Sequence, residues 1–189
     1  MTPLILASAS PRRRTLLEEA GYTVKIAPPD IDETARPGEA PATLVERLAR
    51  EKAQAIVASA EAIVVAGDTI VALDGEILGK PSDASDAVDM LTRLSRSKHE
   101  VISGWCVRRG AAELSGAEIT TVTFRAITQA EIEAYVATGE PLDKAGAYGI
   151  QEGGGAFVSS VEGSLENVIG LPVAVVVAAI ERLASATDG

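Results

Sequence analysis

Residues 62–81 read AIVVAGDTIVALDGEILGKP, and this stretch decides what kind of fold the chain can adopt. Two apolar runs rich in Val and Ile stand on either side of Asp74-Gly75. That dipeptide suits a two-residue type I′ hairpin, in which both turn residues take positive φ. The pattern predicts two antiparallel strands in a register that sets Leu73 opposite Glu76 and Thr69 opposite Lys80. Lys80 then lies beside Asp68. The first run is apolar at nearly every position, which marks a strand covered on both faces by helices. Asp68 breaks that run, and an ionised carboxylate in such surroundings is costly unless it is paired or coordinates a metal.

Composition carries the same fold outward. Of 189 residues 47% are apolar but only 3% aromatic, so Ala, Val, Leu and Ile must fill the core. A layered α/β fold does this with buried strands under helices. The length suits one globular domain or two small lobes, and with no repeat, charge block or linker evident the chain reads as one domain, 1–189. Upstream, LILAS predicts a short buried strand, and Ser10 with Pro11 supplies the N-cap and first-turn proline of a helix through RRRTLLEEA that ends near Gly21. YTVKIAP predicts a strand and DIDETARPGEAP a loop. ATLVERLAREKAQAIVASA predicts a helix with Leu44, Leu48, Ala55 and Ile56 on its apolar stripe and Lys52 toward its flank. Downstream, SDASDAVDMLTRLS predicts a helix, HEVISGWCVRRG and ELSGAEITTVTFRAI two strands, and TQAEIEAYVATG a helix with Thr128 and Glu131 in capping-box spacing. LDKAGAYGIQEGGGAFVSSVEG is loop-like with a strand at its end. LPVAVVVAAIERLASA predicts a buried C-terminal helix.

Charge and residue counts exclude several functions. With 27 acidic against 17 basic side chains and a net charge of -10, the chain as a whole is repelled by phosphate backbones, so no nucleic-acid partner is expected. Cys106 is the sole cysteine and His99 the sole histidine, which leaves no intrachain disulfide and no zinc or His-cluster site. His99 reads as a polar residue near a strand start. The longest apolar run, at 171–180, is half of the ~20 residues a membrane span needs. No secretory signal pattern opens the chain, so a cytoplasmic protein is expected.

Against this acidic background, LASASPRRR at 6–14 is anomalous. Arginines in a helix's first turn oppose the helix dipole, which prefers anions there. The free N–H groups of that turn, with Ser8, Ser10, Arg12 and Arg13, form a receptor for phosphate oxygens, and the repulsion disappears when an anion binds. Asp68 then has two open readings. It is a structural ion pair with Lys80, or it works with Glu33 to hold Mg²⁺ or activate a water while Lys52, Lys80 and the arginines neutralise a polyphosphate. The run EGGGAF lacks the lysine of a P-loop and reads as turn chemistry.

Taken in order and spacing, LASASPRRRTLL, IDET, AREKA, GDTIV, GKP, LDKAGAYGIQ and ENVIGLPV resemble the Maf family of nucleoside triphosphate pyrophosphatases over nearly the whole chain. The resemblance implies a Maf/inosine-triphosphatase-like fold, in which a long twisted mixed sheet flanked by helices forms two lobes with a cleft between them. It implies hydrolysis of a nucleoside triphosphate to the monophosphate and pyrophosphate with a divalent cation, Mg²⁺ or Mn²⁺, and a homodimer as a common assembly. On the matching positions, Asp68 is the proton acceptor and Glu33 is a further site position of the family pattern. Lys52 and Lys80 complete the catalytic group. Ser8, Ser10, Arg12 and Arg13 bind phosphate, Lys144 lies in the substrate-binding motif, and Arg12, Thr69 and Gln151 select the base. The form DKAGAYGIQ resembles the subgroup acting on dTTP and UTP, with modified pyrimidine triphosphates as further substrates; the 7-methyl-GTP subgroup has a cysteine after the Asp. Gln151 suits that choice, since its amide offers both donor and acceptor to the edge of uracil or thymine. Leu165 departs from the subgroup, which more often has an aromatic there. The alternative reading is a nucleotide-binding regulator of septum formation acting through a partner.

Overall fold

The computed structural model describes residues 4–186. The hairpin forms as its sequence dictates: strands β3 (Ile63–Leu73) and β4 (Glu76–Leu78) pair with Leu73 opposite Glu76, Ala72 opposite Ile77 and Val71 opposite Leu78. Asp74 and Gly75 take φ of 51° and 83°, as a type I′ turn requires. The ladder stops at Leu78. Lys80 therefore falls in the exposed bend after the strand, and not in the cross-strand position opposite Thr69 that the register alone assigns it.

Around this hairpin a seven-stranded mixed sheet is assembled in the order β2-β1-β3-β5-β6-β7, with β4 on β3. The remaining strands are β1 (Leu4–Ala7), β2 (Val24–Ile26), β5 (Lys98–Arg109), β6 (Ala112–Phe124) and β7 (Val158–Glu162). β1 pairs in parallel with β2 and β3, whereas β6 and β7 are antiparallel. The helices are α1 (Pro11–Glu19), α2 (Pro41–Ala55), α3 (Ala84–Leu94), α4 (Gln129–Val136), α5 (Leu165–Ile169) and α6 (Val173–Ser185). The α/β class and the mixed sheet are as expected.

The chain divides into two compact units, Met1–Asp68 with Ser103–Glu118 and Gly170–Gly189, and Thr69–Ile102 with Ile119–Ile169. β3, β5 and β6 each run from one into the other. The first unit packs small side chains, with Ala49 and Ala53 of α2 against Ala7, Val64, Ala66 and Cys106 of the strands. Gly104 of β5 lets α2 approach closely, because a Cβ there would collide with the Val45 carbonyl. In this unit the Cys106 thiol is buried and its pKa is pushed up to about 12 by desolvation, which leaves it inert. The second unit gathers both phenylalanines and two of the three tyrosines. Phe124 stands edge-on to Tyr148 at 4.7 Å and to His99 at 4.8 Å between ring centres. His99 is thus a buried strand residue whose Nε2 meets the Tyr148 hydroxyl at 2.8 Å.

Two helices differ from the expectation. α2 ends at Ala55, since Ile56 is already extended, so Ala55 is exposed and the buried stripe is Leu44, Leu48 and Lys52 with Val45, Ala49 and Ala53. Lys52 is on the buried face itself. α6 is amphipathic and not buried all round: Val176, Ala179, Ile180 and Leu183 face inward while Val175 is exposed. The five-residue α5 had no signal that a pattern of helical period could detect.

Candidate active site

Strand β1 ends at Ala7, and the next residues build the start of α1. Ser10 is the N-cap, extended at φ -67° and ψ 117°, with its hydroxyl accepting from Arg13 N at 3.5 Å. Ser8 is buried, and its Oγ accepts from Ser10 N and from Arg13 Nη1, both at 3.1 Å. Arg13 Nε donates to the Gly170 carbonyl at 2.8 Å. The guanidinium is therefore aimed by two fixed acceptors instead of floating in solvent. Gly67 makes the room for it, since a Cβ on that residue would lie 3.3 Å from Arg13 Nε and 3.2 Å from Leu171 Cδ1. Burial lowers the pKa of Arg13, an effect opposed by the charges of Asp68 and Glu33. Arg12 is half-buried and has no side-chain partner among the described residues. Arg14 points elsewhere, with its Nε 2.7 Å from Glu18 on the exposed side of the helix.

The second part of the site is a lysine held by two carboxylates. Lys52 Nζ lies 2.6 Å from Asp68 Oδ1 and 2.9 Å from Glu33 Oε1. Lys52 and Asp68 are only 7% and 9% exposed, whereas Glu33 is open to solvent. Asp68 Oδ2 accepts no hydrogen bond among the described residues, while Oδ1 is engaged by Lys52. The partner of Asp68 is thus Lys52 of α2, placed by the helical stripe, and not Lys80. Glu33 is carried on a loop that is itself framed. Asp32 Oδ1 accepts from Thr34 N and Oγ1 at 2.9 and 2.6 Å, which holds the Asp32 carboxyl below its usual range. Arg47 of α2 donates to the Thr34 carbonyl and makes a two-point contact with Glu39 at 2.7 and 2.8 Å. That hydrogen bonding draws the Glu39 pKa down to about 2.

Sequence reasoning missed Gly67, Arg47, Glu39 and the Gly170 carbonyl. Arg47 and Glu51 do stand at i,i+4 on α2, a signal for an ion pair but not for a loop frame.

The chemistry of this donor set fits a divalent cation. Two carboxylate oxygens already converge on one positively charged atom. A magnesium site uses one or two carboxylates and leaves its other positions to water and substrate phosphates.

The other sequence-predicted residues belong to the second unit. Thr69 follows Asp68 on β3, and Lys80 is exposed after β4. Gln151 is exposed in the segment between the second and third of three short 3-10 turns, Glu140–Asp143, Ala145–Ala147 and Gly153–Phe157. Lys144 is buried, and its three N–H donors meet Asp143 Oδ1 at 2.9 Å, Glu152 Oε2 at 3.0 Å and the Glu140 carbonyl at 2.9 Å. Burial by itself would lower its pKa, but Asp143 and Glu152 outweigh that and raise it. Leu165 is exposed at the start of α5. Asn167 is fully buried and donates to the Val101 carbonyl and to Thr120 Oγ1 at 3.1 and 3.0 Å.

The chain as a whole is similar to known proteins. A protein of Anaeromyxobacter dehalogenans (strain 2CP-C) described as a dTTP/UTP pyrophosphatase is 52% identical over 183 residues, covering 95% of this chain and 93% of its own length. One of Myxococcus xanthus (strain DK1622) with the same description is 52% identical over 183 residues, covering 96% and 92%. A crystal structure of a nucleoside-triphosphatase / dITP/XTP pyrophosphatase from Mycobacterium abscessus is 18% identical with a TM-score of 0.41, over 65% of this chain and 73% of that one, a likeness too slight to bear on the assignment. The model of the family described as Maf-like protein matches residues 3–183, which is nearly the whole chain, and the chain therefore belongs to the Maf family.

Proposed function

We propose that this chain is a nucleoside triphosphate pyrophosphatase that hydrolyses dTTP and UTP to the monophosphate and pyrophosphate. Relatives at 52% identity that carry this description over almost their whole length support the activity. The observation that carries the chemistry is the Asp68–Lys52–Glu33 group, an acidic pair closed on a buried ammonium, with Asp68 set among the apolar residues of β3.

Each residue has a role its geometry allows. Arg13, aimed by Ser8 and Gly170, and Arg12, which has no protein partner among the described residues, bind phosphate oxygens together with the N–H groups at the start of α1. Asp68 Oδ2 accepts the proton of the attacking water, while Oδ1 stays fixed on Lys52 and so keeps the carboxylate oriented. Asp68 and Glu33 would hold the divalent cation, which supplies positive charge to the phosphate oxygens. Lys52 and Lys80 add positive charge as pyrophosphate leaves. Thr69, Gln151 and Arg12 select the base, with the Gln151 amide donating to a pyrimidine carbonyl and accepting from the N3–H.

Every nucleoside triphosphate in a panel is assayed for pyrophosphate release with Mg²⁺ or Mn²⁺. The expected result is preferred turnover of dTTP and UTP with pyrophosphate as the first product. Orthophosphate as first product, or undiminished turnover by Asp68→Asn, refutes the reading.

A further inference from the structure

We infer that Glu140 is a positioning residue for pyrimidine selection: with Tyr135 it fixes both ends of the five-residue segment Gly149–Gly153 that presents Gln151. The inference rests on the reading of Gln151 as the base-selecting amide.

Gln151 is exposed, and no side-chain hydrogen bond holds its amide among the described residues. Its placement is set entirely by the backbone on either side. At one end Gly149 N donates to the Tyr135 hydroxyl at 3.2 Å. At the other Gly153 N donates to Glu140 Oε2 at 3.2 Å. The Tyr135 hydroxyl in turn donates to Glu140 Oε1 at 2.5 Å, so a single carboxylate closes the bracket from end to end. Tyr135 itself is buried, and desolvation together with Glu140 raises its pKa, which keeps the proton this bridge needs. The three acceptors of Lys144 include Glu152 within the segment and the Glu140 carbonyl outside it, so the ammonium ties the same two pieces of chain.

The two glycines are closely packed in this seating. A Cβ at Gly149 would lie 2.7 Å from Lys144 Cε, and one at Gly153 would lie 3.0 Å from the Tyr135 ring. Lys144, whose donors are taken by protein, is thereby part of the frame.

Why a reader amide needs such a frame follows from what it reads. Uracil offers an N3–H donor beside an O4 acceptor, and cytosine offers the reverse. A glutamine amide can meet either by turning over. It discriminates only while its orientation is held, and a recognition group tolerates displacement of about 0.5 Å. The Glu140 carboxylate accepts from the Tyr135 hydroxyl and from Gly153 N, which lets the bracket be opened without touching the aromatic core.

The experiment compares kcat/KM for UTP and CTP, with Mg²⁺ present, in the full-length protein and in Glu140→Gln, Tyr135→Phe, Gln151→Ala and the Glu140→Gln/Gln151→Ala double variant, with Tm measured for each. In both bracket variants the UTP:CTP ratio is expected to fall about three- to tenfold, the net worth of one hydrogen bond, mainly through KM for UTP. The double variant is expected to discriminate no less than Gln151→Ala alone, as for residues acting through one another. If Gln151→Ala collapses the ratio while Glu140→Gln and Tyr135→Phe lower both substrates equally or lower only Tm, the positioning role is overturned and the Gln151 reading stands. If Gln151→Ala leaves the ratio intact, the Gln151 reading fails and takes this inference with it. Tyr135→Phe serves as the deciding variant should Glu140→Gln not fold.

Discussion

Replacing Lys52 by methionine separates the structural and catalytic meanings of the buried pair. At 2.6 Å the attraction between Lys52 and Asp68 is about 6 kcal/mol for an effective dielectric of 20, and most of it is spent on taking the two charges out of water. Methionine fills much of the lysine's volume but leaves Asp68, 9% exposed, with no ion pair among the described residues and only the nearby charge of Arg13 to offset it. Removing one member of such a pair costs about 3–5 kcal/mol. The converse change is not symmetrical. In Asp68→Asn the ammonium still has Glu33 at 2.9 Å, so its charge remains compensated and the expected loss is about 1–2 kcal/mol, nearer to that of a hydrogen bond to a charged group. Urea denaturation at neutral pH measures both variants and the Lys52→Met/Asp68→Asn double variant, which is expected to be more stable than Lys52→Met alone. Pyrophosphate release should fall by at least about a hundredfold in all three, in keeping with loss of an acid–base group or of the residue that orients it. Equal losses of stability in the two single variants, or a double variant less stable than Lys52→Met, would refute this account of how the carboxylate is held.

The three arginines of α1 should divide sharply by partner. Arg13→Ala removes the group fixed by Ser8 and Gly170 and is expected to reduce kcat/KM by about a hundredfold or more, while Arg14→Ala, losing only an exposed i,i+4 pair, should stay within about twofold in activity and 0.5 kcal/mol in stability. Equal collapse of both would refute the division. His99 gives a pH prediction with a defined sign: burial lowers its pKa to about 4 from 6.5, so the unfolded chain takes up a proton that the folded chain refuses. Its contribution to stability is complete above pH 6.5 and drains as pH falls toward about 4, at no more than about 1.4 kcal/mol per unit. As the only histidine it has an unambiguous NMR signal, and an imidazole that titrates near pH 6.5 in the folded protein would contradict its burial.

The hairpin, the N-cap at Ser10 and the capping box at Thr128 and Glu131 were legible because each is a local rule acting within a few residues. The end of α2 was not. AQAIVASA carries apolar residues that continue a helical period, yet Ile56 is extended and Val57 fully exposed, so periodicity alone could not stop the helix at Ala55. The same register that was right for Leu73 and Glu76 misplaced Lys80, because a strand ends where its ladder hydrogen bonds end and sequence does not mark that point before Pro81. α6 was read as buried from its valines, although a helix lying on the surface can carry Val175 outward.

The site was legible where the chain contradicts itself. A carboxylate in an apolar strand and arginines at the positive end of a helix are both unfavourable locally, and both proved to be answered from far along the chain: Asp68 by Lys52, and Arg13 by Gly170. Sequence could identify the unsatisfied group but not its partner, since the partner is chosen by packing. Lys80 and Lys52 were both within reach of a reading on charge alone. Lys80 is excluded because the ladder stops at Leu78, and Lys52 is delivered by α2, whose backbone Gly104 allows to approach β5 closely at Val45. A Gly104→Ala variant would therefore act on the Lys52–Asp68 contact although residue 104 bears no functional group. The orientation of the Asp68 carboxylate then depends on a backbone approach as well as on a charge.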